Sequence, residues 1–136
     1  MTDVNPAAAA VLAAANRLCA AFAAGDLEGY FASFAPDATF VFHSIPDPIG
    51  STAAYRTAWA GWVEEIDLRI LGCRSFNQGV KFVTPDVALF THSVRVEAST
   101  TTGTETRAER ETIVFVRQAD GRWLGAHEHL SKDPNA

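Results

Sequence analysis

Near residue 67 the spacing of apolar side chains changes from the roughly 3.6 residues of a helix face to the 2 of a strand face, and it stays there to the end. A chain in that order must lay its helices against one sheet. Asn5 and Pro6 make an N-cap and first-turn pair, and Val11, Leu18 and Phe22 then mark a helix reaching about Ala24. Gly25 supplies a left-handed stop and Asp26 caps a second helix, whose Leu27, Tyr30, Phe31 and Phe34 form one stripe before Pro36 ends it. Thr39 to His43 predicts a first strand, and Pro46 and Pro48 force an irregular loop after it. Ser51 or Thr52 caps a third helix, with Tyr55, Trp59, Trp62, Val63 and Ile66 facing inward.

Beyond the change of period, Leu68 and Ile70 alternate with polar residues, and alternation recurs over Val87 to Ala98, Glu105 to Gln118 and Arg122 to Ser131. The links around Gly103 and at Ala119-Asp120-Gly121 are short and polar, so the last three strands should form an antiparallel meander. The order α-α-β-α-β-β-β-β predicts an α+β fold. A cone-shaped, curved antiparallel sheet wraps around three N-terminal helices and leaves a cavity at its wide end. With 136 residues and no repeat or linker, residues 1–136 read as a single domain, ordered over about 5–131 with frayed ends.

A net charge of -5, with scattered Lys and Arg, offers no basic face for nucleic acid. No continuous apolar run suggests a membrane span, and the Ala-rich start carries Asp3 rather than a positive region, so a cytoplasmic location is expected. Cys19 and Cys73 are too few for a disulfide framework and read as reduced, structural thiols.

The candidate site residues are mostly histidines and aromatics. Strict alternation along the last strand puts Trp123, His127, His129 and Ser131 on one face and Leu124, Ala126, Glu128 and Leu130 on the other. His127 and His129 then either bond neighbouring strands or a dimer partner, or act as acid or base on a ligand. They would hold a metal only if a third ligand arrived, for which His43 and His92 are the candidates, and no metal is expected. On the strand before, Ala108, Arg110, Thr112, Val114 and Val116 are taken as the inward face. Arg110 becomes a partner for a ligand carboxylate or part of an interface ion pair, and Ile113 and Phe115 become candidates for a sheet-to-sheet dimer. Tyr30, Tyr55, Trp59 and Trp62 pack in the core or line the cavity. Asp47 can orient His43 or simply make a turn, and Glu64-Glu65 reads as solvated.

Local motifs narrow the fold. A-A-G-D-L-E-G-Y (residues 23–30) and A-P-D-A-T-F (35–40) resemble the N-terminal signature of the nuclear transport factor 2-like superfamily. Residues 110 to 131, with Thr112, the D-G-x-W turn and H-x-H-x-S, are similar to the end of SnoaL-like domains and of the association domain of calcium/calmodulin-dependent kinase. The ketosteroid isomerases of that superfamily use an aspartate base at the end of the first strand, where this chain has Phe40, Val41, Phe42 and His43. The resemblance therefore implies a homodimer with a ligand pocket for a small apolar or carboxylate-bearing molecule. One expectation is a cofactor-independent isomerase, dehydratase or cyclase in which His43, His92, His127 or His129 moves a proton. Tyr30, Tyr55 or Arg110 would hold an oxygen, and Trp59, His92 and Thr112 would join the ligand contacts. The other expectation is a non-catalytic association or ligand-sensing module.

Overall fold

The structure, a computed structural model, describes residues 5–135. Helix α1 (Pro6–Ala24) begins where Asn5 Oδ1 accepts from the Ala7 amide at 2.9 Å, and it ends at Gly25, whose φ of 72° allows a left-handed turn. Asp26 caps α2 (Leu27–Ala32), and Ser51 Oγ accepts from Ala54 at 3.0 Å to start α3 (Thr52–Ile66). Helix α2 is shorter than its apolar stripe predicted. Pro36 disfavours helical backbone at Ala35, so β1 (Phe34–Phe42) already starts at Phe34, which reaches the core from a strand.

The remaining strands are β2 (Arg69–Thr84), β3 (Val87–Thr100), β4 (Gly103–Arg117) and β5 (Trp123–Lys132), in the sheet order β1-β5-β4-β3-β2. The sheet is curved and mixed. The meander β2 to β5 is antiparallel as expected, whereas β1 pairs in parallel with β5, the rest of the chain serving as the long crossover that parallel neighbours require. Strand β2 runs well past the predicted Leu68–Ile70 because three register shifts break its alternation. At one of them Asn77 takes a φ of 54°.

All three helices lie on the concave side. There Phe40, Phe90, Ile113 and Phe115 from three strands are fully buried with Val11 of α1, each large side chain contributing about 1.5–3 kcal/mol by leaving water. By length and composition α1 also meets the measure of a membrane span, which the sequence reading did not anticipate. Much of that apolarity is alanine, and in the fold Val11, Ala14, Ala15 and Leu18 are the side that is buried.

One irregularity in β5 governs which way the functional residues point. Val114 pairs with His127 but Phe115 with Gly125, so Ala126 is an extra residue and the alternation flips across it. Trp123 and Gly125 face the core before the bulge, and Glu128 and Leu130 face it afterwards. Gly125 is needed at that point because a Cβ there would lie 2.7 Å from the Phe34 ring.

Candidate functional site

Between the concave face and the helices lies a cavity of about 600 Å³, a size that suits a small organic ligand. Its walls are Leu18 and Phe22 from α1, Tyr30 from α2, Tyr55, Trp59 and Trp62 from α3, and Phe42 at the end of β1. The aromatic rings form one continuous cluster, with Tyr55 to Trp62 centroids 6.3 Å apart and Trp59 to Trp62 centroids 5.9 Å apart in edge-to-face packing. The hydroxyls of Tyr30 and Tyr55 meet at 2.9 Å. Burial above all pushes both phenols well above their ordinary range, so each keeps its proton.

The sheet contributes acids. Glu109 and Glu111 of β4 and Glu128 of β5 all line this cavity. Glu109 Oε2 lies 2.5 Å from His43 Nε2, and Glu111 Oε1 lies 2.7 Å from His92 Nε2. His92 is buried and its other nitrogen is 2.5 Å from Ser75 Oγ, which also accepts from Gln78 Nε2 at 2.8 Å. This chain is satisfied with one ring proton: Gln78 donates to Ser75, Ser75 donates to His92 Nδ1, and His92 Nε2–H donates to Glu111. Glu128 is 2% exposed, and its Oε2 has no hydrogen-bond partner among the described residues. Burial, then the charges of Glu111 and Glu109, then a hydrogen bond with Glu111 raise its carboxyl well above the usual range, which holds Glu128 protonated. Cys19 and Cys73, both free, also touch the cavity. The hydrogen bond between them, more than burial, pushes the Cys19 thiol up and draws that of Cys73 down.

Tyr30, Tyr55, Trp59 and His43 line this one cavity, whereas His92 stands behind Glu111, bonded to it but not itself in the wall. Four other candidates lie away from it. His127, His129, Arg110 and Thr112 stand on the convex face, opposite the cavity. The bulge reverses β5, and in β4 the larger Ile113 and Phe115, rather than Val114 and Val116, turn to the core and carry Glu109 and Glu111 with them. Ile113 and Phe115 therefore cannot serve a sheet-to-sheet contact. His127 Nδ1 lies 2.6 Å from Thr39 Oγ1, burial and then His129 lower its proton affinity, and the two rings sit 6.3 Å apart. No group of three potential metal-ligating side chains occurs among the described residues. His43 is oriented by Glu109, while Asp47 is exposed in its loop. The acidic floor was missed in the sequence. Its signals were the Gly inside β5 and the larger side chains two and four residues after Glu111.

A curved sheet folded over N-terminal helices around an aromatic chamber defines a protein of the nuclear transport factor 2-like class. Residues 11–134 match the SnoaL-like domain, and the chain belongs to that family. The fold is shared with a ketosteroid isomerase-like protein from Erwinia carotovora atroseptica at 18% identity and a TM-score of 0.78, covering 95% of this chain and 98% of that one. A provisionally named calcium/calmodulin-dependent protein kinase II association domain from Xanthomonas campestris matches at 20% identity and a TM-score of 0.76 over 98% and 95%. A provisionally named scytalone dehydratase from Novosphingobium aromaticivorans matches at 16% and 0.76 over 91% and 82%. No curated protein matches the sequence.

Proposed function

We propose that this protein binds a small, mostly apolar molecule in the chamber and transfers a proton on it without a cofactor, as an isomerase, dehydratase or cyclase would. The observation that carries the reading is that an imidazole held by a carboxylate and a pair of protonated hydroxyls face the same aromatic cavity. His43 is the base. With Nε2–H donated to Glu109 its Nδ1 is the nitrogen that accepts a proton, and its side chain, 27% exposed, can exchange that proton with solvent. One of the Tyr30 and Tyr55 hydroxyls donates to the other, which is left to give its own proton to the oxygen on which negative charge develops, and burial strengthens that hydrogen bond.

The reading can be tested before a natural substrate is known. Aryl ketones with and without an amino group are incubated with the protein in D₂O, and exchange of the protons next to the carbonyl is followed by NMR. The expected result is catalysed exchange that falls by roughly 10²- to 10⁴-fold in His43→Ala and by about 10- to 100-fold in Tyr55→Phe. Exchange by His43→Ala at the wild-type rate, with bound ketone, would reject proton transfer by this residue.

A second reading, homodimeric association, is favoured by the convex face. Among the described residues no helix covers it, and Leu89, Val114 and Val116 are there only half-buried. That apolar surface suits a sheet-to-sheet contact with a second copy, and the two readings are compatible.

A further inference from the structure

The chamber's polar groups have an uneven charge balance. At the rim Arg107 is paired with Glu105 at 2.6 Å, Arg95 beside it with Asp133 at 3.0 Å, and Lys132 is exposed to solvent, so none of these cations sits among the deeper acids. Deeper in, Glu109 faces His43. Glu111 faces His92, whose network through Ser75 and Gln78 needs no second ring proton. Glu128, buried beside Glu111 and Glu109 with its carboxyl raised well above the usual range, lines the chamber with them, and its Oε2 has no donor among the described residues. A buried acceptor without a donor is costly, and a buried charge without a counter-charge is more so.

We infer that the ligand carries one protonated amine, seated against Glu111 and Oε2 of Glu128, with an apolar body lying along Trp59, Trp62 and Phe22. An ammonium group supplies both missing elements at once, a donor for Oε2 and a positive charge for the carboxyl pair. The ring faces of the wall add attraction for the same charge. A carboxylate-bearing ligand would meet three carboxyls, and Arg110, the cation the sequence offered as its partner, is on the other side of the sheet. This inference rests on the proposal that the chamber is a ligand site and specifies the class of molecule it takes.

The test compares three probes of one shape, 3-phenylpropylamine, 3-phenylpropan-1-ol and 3-phenylpropanoate, by titration calorimetry near neutral pH. The amine should bind at least tenfold more tightly than the alcohol, and the carboxylate should not bind. Glu111→Gln keeps an acceptor for His92 but removes the charge, so it should bring the amine's affinity to within about threefold of the alcohol's. Circular dichroism checks that the variant is folded; should it fail to fold, the wild-type ranking alone decides. Equal affinity for amine and alcohol, or preference for the carboxylate, overturns the amine inference while leaving a ligand pocket in place. No heat of binding from any of the three at millimolar concentration overturns both.

Discussion

Glu128 is the residue whose protonation most affects this molecule. Its folded carboxyl titrates above the ordinary value near 4.5, so the native state holds a proton that the unfolded chain gives up. The favourable difference is fully present below that ordinary value and declines as pH rises through and beyond it. Glu128→Gln, which mimics the protonated acid, should therefore leave the melting temperature at pH 4 nearly unchanged and raise it by several degrees at pH 8. Melting curves that shift equally at both pH values would show that Glu128 is not held protonated. His127 acts in the opposite sense, since its folded imidazole binds a proton less readily than the unfolded one, and stability falls as pH drops through the imidazole range. Because it lies outside the chamber, His127→Ala and His129→Ala should each keep amine-probe affinity within about twofold of wild type.

At the scale of the element, the β5 bulge decides the chemistry. Ala126 is the extra residue, and the strand beyond it turns Glu128 and Leu130 inward and both histidines outward. Deleting Ala126 would force strict alternation, driving His127 and His129 toward the core and Glu128 out. A folded deletion variant with unaltered probe affinity would refute the role given to the bulge; loss of binding, with lowered stability, is expected. Gly125 beside it leaves room for the Phe34 ring. Gly125→Val should cost about 2 kcal/mol, lowering the melting temperature by roughly 5–10 °C, because Phe34 is buried and has little space to retreat.

At the scale of the whole molecule, helices occupy one face of the sheet and leave the convex face with half-buried Leu89, Val114 and Val116. A second copy on that face predicts a dimer at micromolar concentration by analytical ultracentrifugation, with Val114→Arg giving a monomer that still binds the chamber ligand. A wild-type monomer would remove the association reading. Chamber and convex face are separated by the thickness of one sheet, so substitutions on one should be nearly additive with those on the other.

The order of elements, their caps and the aromatic wall were legible in the sequence because each depends on local chemistry: Asn5, Asp26 and Ser51 cap through their own side chains, and Tyr30, Tyr55 and Trp59 sit at helical spacing. The direction of strand faces was not legible. In β4 alternation permits either face, and the choice fell to the packing of Phe40, Phe90, Ile113 and Phe115 from three strands, residues far apart in the chain. In β5 one inserted residue reverses the pattern, and since the flanking Gly125 and Ala126 are small, no apolar mark records the reversal. The sequence alone determined an α+β domain with aromatic walls. Tertiary packing decided that glutamates and His43, rather than His127, His129 and Arg110, would face the chamber.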